Sequence, residues 1–86
     1  MKLNNNYTIK HILDSDILIN IKDDFNGVIK LNKTSKDIID GINNNLSVDE
    51  IINNLKDKYD VDSNELDKDV HKFIDELISK GILINE

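Results

Sequence analysis

The 86-residue chain has no cysteine, proline, tryptophan, alanine, glutamine or arginine, and only three glycines and four aromatic residues. Without cysteine there is neither a disulfide nor a thiolate metal site, and thiol nucleophiles are excluded. Three glycines leave no Gly-rich loop to cradle a phosphate. All eleven basic residues are lysine, set against seventeen acids, for a formal net charge of −6. Nucleic-acid binding draws on clustered positive charge to displace counterions, preferably with Arg for bidentate contacts. The balance here argues against a nucleic-acid partner. Met1–Asn6 lacks the apolar core of a signal peptide, and no hydrophobic run approaches membrane-spanning length. The expectation is a cytoplasmic chain with no membrane partner.

What is present suits a single domain over residues 1–86, near the lower size at which one core suffices, with residues 1–6 expected to be flexible. Two hydrophobic periods divide the chain near Asn32. Before it the pattern is β-like. Tyr7–Leu13 alternates imperfectly, Ile17–Lys22 places Ile17, Ile19 and Ile21 on one face, and Val28–Leu31 gives a third short strand. Asp14-Ser15-Asp16 makes a tight connection, and Asp23-Asp24-Phe25-Asn26-Gly27 a turn whose Asn-Gly pair tolerates positive φ. After Asn32 the period becomes helical. Asn32 or Thr34 can cap a first helix that buries Ile38, Ile39 and Ile42. Ser47-Val48-Asp49-Glu50 is a capping box opening a second helix, which buries Val48, Ile51, Ile52 and Leu55. Asp62 or Ser63 caps a third, with a wide stripe of Leu66, Val70, Phe73, Ile74, Leu77 and Ile78. Gly81 is a good residue to end it, with Ile82 folding back on the last turn. Short strands and short helices both need a shared core. The fold class is therefore α+β: a three-stranded antiparallel sheet followed by a three-helix bundle.

Candidate chemistry is sparse. Asp60-Val61-Asp62-Ser63-Asn64 opens like an EF-hand loop, which then requires Gly at its sixth position and Glu at its twelfth. Glu65 and His71 stand there instead, so the segment reads as a helix cap. His11 and His71 have no ligand partners in a metal pattern. His71 lies one turn after Asp67, where a simple side-chain pair accounts for it. Neither histidine is placed beside a hydroxyl nucleophile in a motif. No metal, no cofactor and no enzyme activity is expected. A carrier protein would bear its prosthetic arm on a Ser followed directly by Leu or Ile. Asp14-Ser15-Asp16 and Asp62-Ser63-Asn64 both lack that residue, which leaves a carrier-like reading as a weak alternative. What remains is the third strand, last in its meander, with backbone groups unpaired along one side. A peptide could add to it as a further strand.

The tract Asp69-Val70-His71-Lys72-Phe73-Ile74-Asp75-Glu76-Leu77, ending in Gly81-Ile82-Leu83, follows roughly forty residues after an extended run closing on Leu31-Asn32. Together with Ser47-Val48-Asp49-Glu50-Ile51, this order and spacing resembles the PqqD-like family of RiPP recognition elements over roughly Ile17 to Leu83. The resemblance implies a winged-helix-like fold. It implies a domain that binds the leader of a ribosomally synthesised precursor peptide, as an antiparallel strand on the third strand, beside the third helix. It assigns peptide binding to Val28, Ile29, Lys30 and Leu31, and to Leu66, Asp69, Phe73 and Glu76 on the third helix. The implied partners are the precursor leader and a modification enzyme, often a radical S-adenosylmethionine protein, or else a leader peptidase. The main competing class is a structural or DNA-binding winged-helix adaptor, which would need a basic recognition helix.

Overall fold

The computed structural model describes residues 1–22 and 29–85. The elements run β1 (Lys2–Leu3), β2 (Tyr7–Ile12), β3 (Ser15–Asn20), β4 (Ile29–Leu31), α1 (Lys33–Asn43), α2 (Val48–Lys58), α3 (Ser63–Ser79) and β5 (Leu83–Ile84). The fold is α+β, with an antiparallel sheet in the order β2-β3-β4 followed by three helices. The turn expected at Asp23–Gly27 lies outside the described residues.

Each helix starts and stops where local chemistry satisfies its free backbone groups. Asn32 Oδ1 accepts from the Ser35 N–H at 2.8 Å and so caps α1, the role open between Asn32 and Thr34. Ser47 and Glu50 make both bonds of the capping box on α2, each at 3.1 Å. Asp62 Oδ1 accepts from Asn64 and Glu65 at the start of α3. At the far end of α3, Gly81 takes φ 75°, its N–H meets the Ile78 carbonyl, and the Ile82 N–H meets Leu77 at 2.9 Å. That is a Schellman ending, and it drives Ile82 into the core. Asn45, at φ 63°, does the same for α1, with Leu46 N–H bonded to the Gly41 carbonyl.

Residues 1–6 include a short element. Lys2–Leu3 pairs with Leu83–Ile84 as a second, two-stranded sheet, and Asn4 bonds the Gly81 and Ile82 carbonyls. The two ends of the chain thereby close over one side of the core. The reason is backbone pairing: β5 emerges from the α3 terminus with free groups, and β1 satisfies them.

The core is entirely aliphatic among the described residues. Leu18 and Leu31 come from the sheet, Ile38, Ile39 and Ile42 from α1, and Ile51, Ile52 and Leu55 from α2. Leu66, Val70, Ile74 and Leu77 come from α3, with Ile82 and Leu83 beyond it. Val48, Phe73 and Ile78, expected on buried stripes, sit half-buried at the edge of this cluster. In β3 the period-two reading holds, but the residue taken fully into the core is Leu18. Ile17 and Ile19 are half-buried on the opposite face and Ile21 is exposed.

Candidate peptide-binding edge

The register of the sheet decides which backbone groups are available. A two-residue loop, Leu13-Asp14, joins β2 to β3, so the flanking Ile12 and Ser15 form a hydrogen-bonded pair. Bonded and non-bonded pairs alternate from there, making Lys10/Ile17 and Thr8/Ile19 bonded. The Ile21 N–H, bonded to the Asn6 carbonyl at 2.7 Å, continues the same alternation. Ile17 and Ile19 therefore direct their backbone groups to β2. Asp16 and Leu18 direct theirs to β4, where they face Leu31 and Ile29. In β4 this leaves the Lys30 N–H and C=O pointing away from the sheet. Among the described residues no strand occupies that edge.

Side chains follow the same alternation. Paired residues share a face, so Ile9, Leu18 and Ile29 form an apolar row toward the helices. Lys10, Ile17 and Lys30 form the central row of the outer face. Of the residues assigned to peptide binding, Ile29 is half-buried and packed against the core, Lys30 is exposed, and Leu31 is buried. Leu31 can therefore act only through its backbone neighbours. Val28 lies outside the described residues. On α3, Leu66 is buried in the same cluster as Leu31, so its side chain is core. Phe73 is half-buried against that cluster, and Asp69 and Glu76 are exposed on its side of the helix, four and three residues away. β4 packs on α1, whereas α3 packs on α2 and β5, so strand and helix meet through the shared core.

A polar network that the sequence did not reveal lies along α1. Asp37 accepts from the Tyr59 hydroxyl at 2.8 Å and from Lys58 Nζ at 3.0 Å, tying α1 to the end of α2. The hydrogen bond to Asp37 raises both the Lys58 ammonium and the Tyr59 phenol above their ordinary pKa values. Lys36 is raised likewise by its 2.8 Å bond to Asp40. Every one of these shifts favours the protonated form. That is the direction of a structural ion pair and the opposite of an activated base. His11 lies 3.0 Å from Asp16 and His71 lies 3.7 Å from Asp67, the pair expected from their spacing. Among the described residues no three His, Asp or Glu side chains converge on one point. No described helix is long and apolar enough to cross a membrane. The exposed positions of α3 mix Glu65, Asp67, Asp69, Asp75 and Glu76 with Lys68 and Lys72, so this helix has no positive excess.

The sequence profile of the family described as coenzyme PQQ synthesis protein D (PqqD) matches residues 16–83. No curated protein matches the chain in sequence. A solved structure described as TbiB1 in complex with the TbiA(beta) leader peptide has a TM-score of 0.84 at 21% identity. The match covers 100% of this chain and 98% of that one.

Proposed function

This chain belongs to the PqqD family, and on that premise we propose that it binds the leader of a ribosomally synthesised precursor peptide along the open edge of β4. The observation that carries the reading is that, among the described residues, the Lys30 N–H and C=O are left unpartnered on an edge whose Ile29 is half-buried, with the half-buried Phe73 of α3 packed against the same core cluster. An extended peptide satisfies both groups as a fourth strand, and the half-buried side chains give it apolar anchorage. TbiB1 was captured with a leader peptide, which supports the same use of this fold.

The role needs no catalytic group. By holding a precursor, the domain raises its local concentration at a modification enzyme or leader peptidase, which does the chemistry. A radical S-adenosylmethionine protein is the partner that the family resemblance favours. A leader rich in lysine elsewhere would also be drawn to a chain of net charge −6, which aids encounter more than final affinity. The test is an amide chemical-shift titration with a synthetic leader from a precursor encoded beside this chain. Perturbations are expected at Ile29–Leu31 and around Phe73. Shifts confined to α2, with β4 silent, would refute the proposal.

A further inference from the structure

Lys30 is more than an edge residue. Its backbone groups face an edge that no strand occupies among the described residues, while its side chain stands on the outer face of the sheet in the row Lys10–Ile17–Lys30. The strand positions of that face are Thr8, Lys10, Ile12, Ser15, Ile17, Ile19 and Lys30, with no carboxylate among them. Among the described residues no carboxylate forms an ion pair with Lys30, although Lys36 and Lys58 both have one.

We propose that Lys30 selects the bound peptide by charge, so that the leader residue paired with it is Asp or Glu, flanked by apolar residues. This rests on the strand-addition reading above. An antiparallel strand exchanging both hydrogen bonds with Lys30 brings one residue directly opposite, with its Cα about 5.5 Å away. That residue points to the same outer face as Lys30, where its carboxylate meets a cation that has no competing acid among the described residues. Its two neighbours in the peptide point to the inner face, beside half-buried Ile29 and buried Leu31. There an apolar side chain extends the row Ile9–Leu18–Ile29, and a charged one would be desolvated without a partner. The recognised class is therefore a strand-forming peptide with the pattern apolar, acidic, apolar. The preference for an acid opposes the global charge of −6, which makes it a local and separable effect.

The probe is a displayed library of random twelve-residue peptides, selected on the full chain and on Lys30→Glu. Selection on the native chain is expected to enrich one Asp or Glu between apolar residues, and selection on Lys30→Glu to enrich Lys or Arg at that place. A synthetic winner with its acid changed to the amide should bind the native chain about two- to five-fold more weakly, the range of a cross-strand ion pair. Against Lys30→Gln the same change should have no effect. Enriched peptides that perturb the Ile29–Leu31 amides but carry the same residue preference on both proteins would overturn the role of Lys30 alone. Winners that leave those amides unmoved, or no enrichment at all, would count against the edge as a peptide site and remove the inference with it. Lys30 is exposed, so its variants should fold, as the amide spectrum will report.

Discussion

Gly41 and Gly81 constrain the chain for opposite reasons. A Cβ built on Gly41 would lie 2.7 Å from Ile51 Cγ1, and Ile51 is itself buried between α1 and α2. Alanine would favour the helical backbone by about 0.5–1 kcal/mol. Overpacking a core contact of this kind costs about 1–3 kcal/mol, so the clash wins. At Gly81 a Cβ would meet nothing within 4 Å, and the whole cost comes from its φ of 75°. Gly41→Ala and Gly81→Ala should both lower the urea midpoint, by about 1–2 kcal/mol of stability each. Asparagine separates them. It tolerates the left-handed region, so Gly81→Asn should recover most of the loss, while Gly41→Asn should be worse than alanine. Equal behaviour at the two positions would contradict this assignment. Gly81 is legible in sequence because its signal is local: an apolar stripe ends and Ile82 follows. Gly41 is not, because the atom that excludes a side chain belongs to the next helix.

The same contrast between local and long-range information governs the elements. All three helices were legible because their caps are written within a few residues: Asn32, the Ser47–Glu50 box, and Asp62 with Gly81. β1 was not legible, because two residues carry no period and its partner β5 lies at the other end of the chain. The faces of β3 were not legible either. Ile17, Ile19 and Ile21 outweigh Leu18 on hydrophobicity alone, yet Leu18 is the residue with 0% exposure. Register decides the matter. Leu18 stands between Ile9 and Ile29, whereas Ile17 stands between Lys10 and Lys30. Only the first row can be covered without desolvating an ammonium. The candidate site has the same history. The resemblance assigns the site to the β4 edge and α3, and burial separates the core residues Leu31 and Leu66 from the accessible Ile29, Lys30, Phe73, Asp69 and Glu76. Leu18→Ala is accordingly expected to cost about 2–5 kcal/mol by cavity formation. Ile19→Thr, on the uncovered face, should change stability by less than about 1 kcal/mol. Urea unfolding of the two variants checks this, and the reverse ranking would mean that the sheet presents its other face to the helices.

At the scale of the whole molecule, the fold is a small domain in which, among the described residues, no further strand pairs with the outer edge of β4. A small domain holds a modest net stability, typically about 0.05–0.15 kcal/mol per residue, so any ligand that binds only the folded state moves it visibly. A leader present at a hundred times its dissociation constant should add about 2.7 kcal/mol. For a domain of this size each kilocalorie raises the melting temperature by about 4–8 °C, so the expected rise is about 11–22 °C. The hydrogen-bond parity of the sheet says where that gain can be abolished. On the strand-addition proposal, the residue paired with Lys30 would donate its N–H to the Lys30 carbonyl and accept from the Lys30 N–H. Proline at that place has no N–H to give, and its ring fixes φ away from the strand value. A leader with proline there should lose most of the thermal shift at the same concentration. Proline at either adjacent residue, whose N–H points away from β4, should be tolerated better. Thermal melts of the protein with the three proline-scanned leaders measure the difference. Equal loss at all three positions would mean that the peptide is not held by backbone pairing to Lys30, even if it binds tightly.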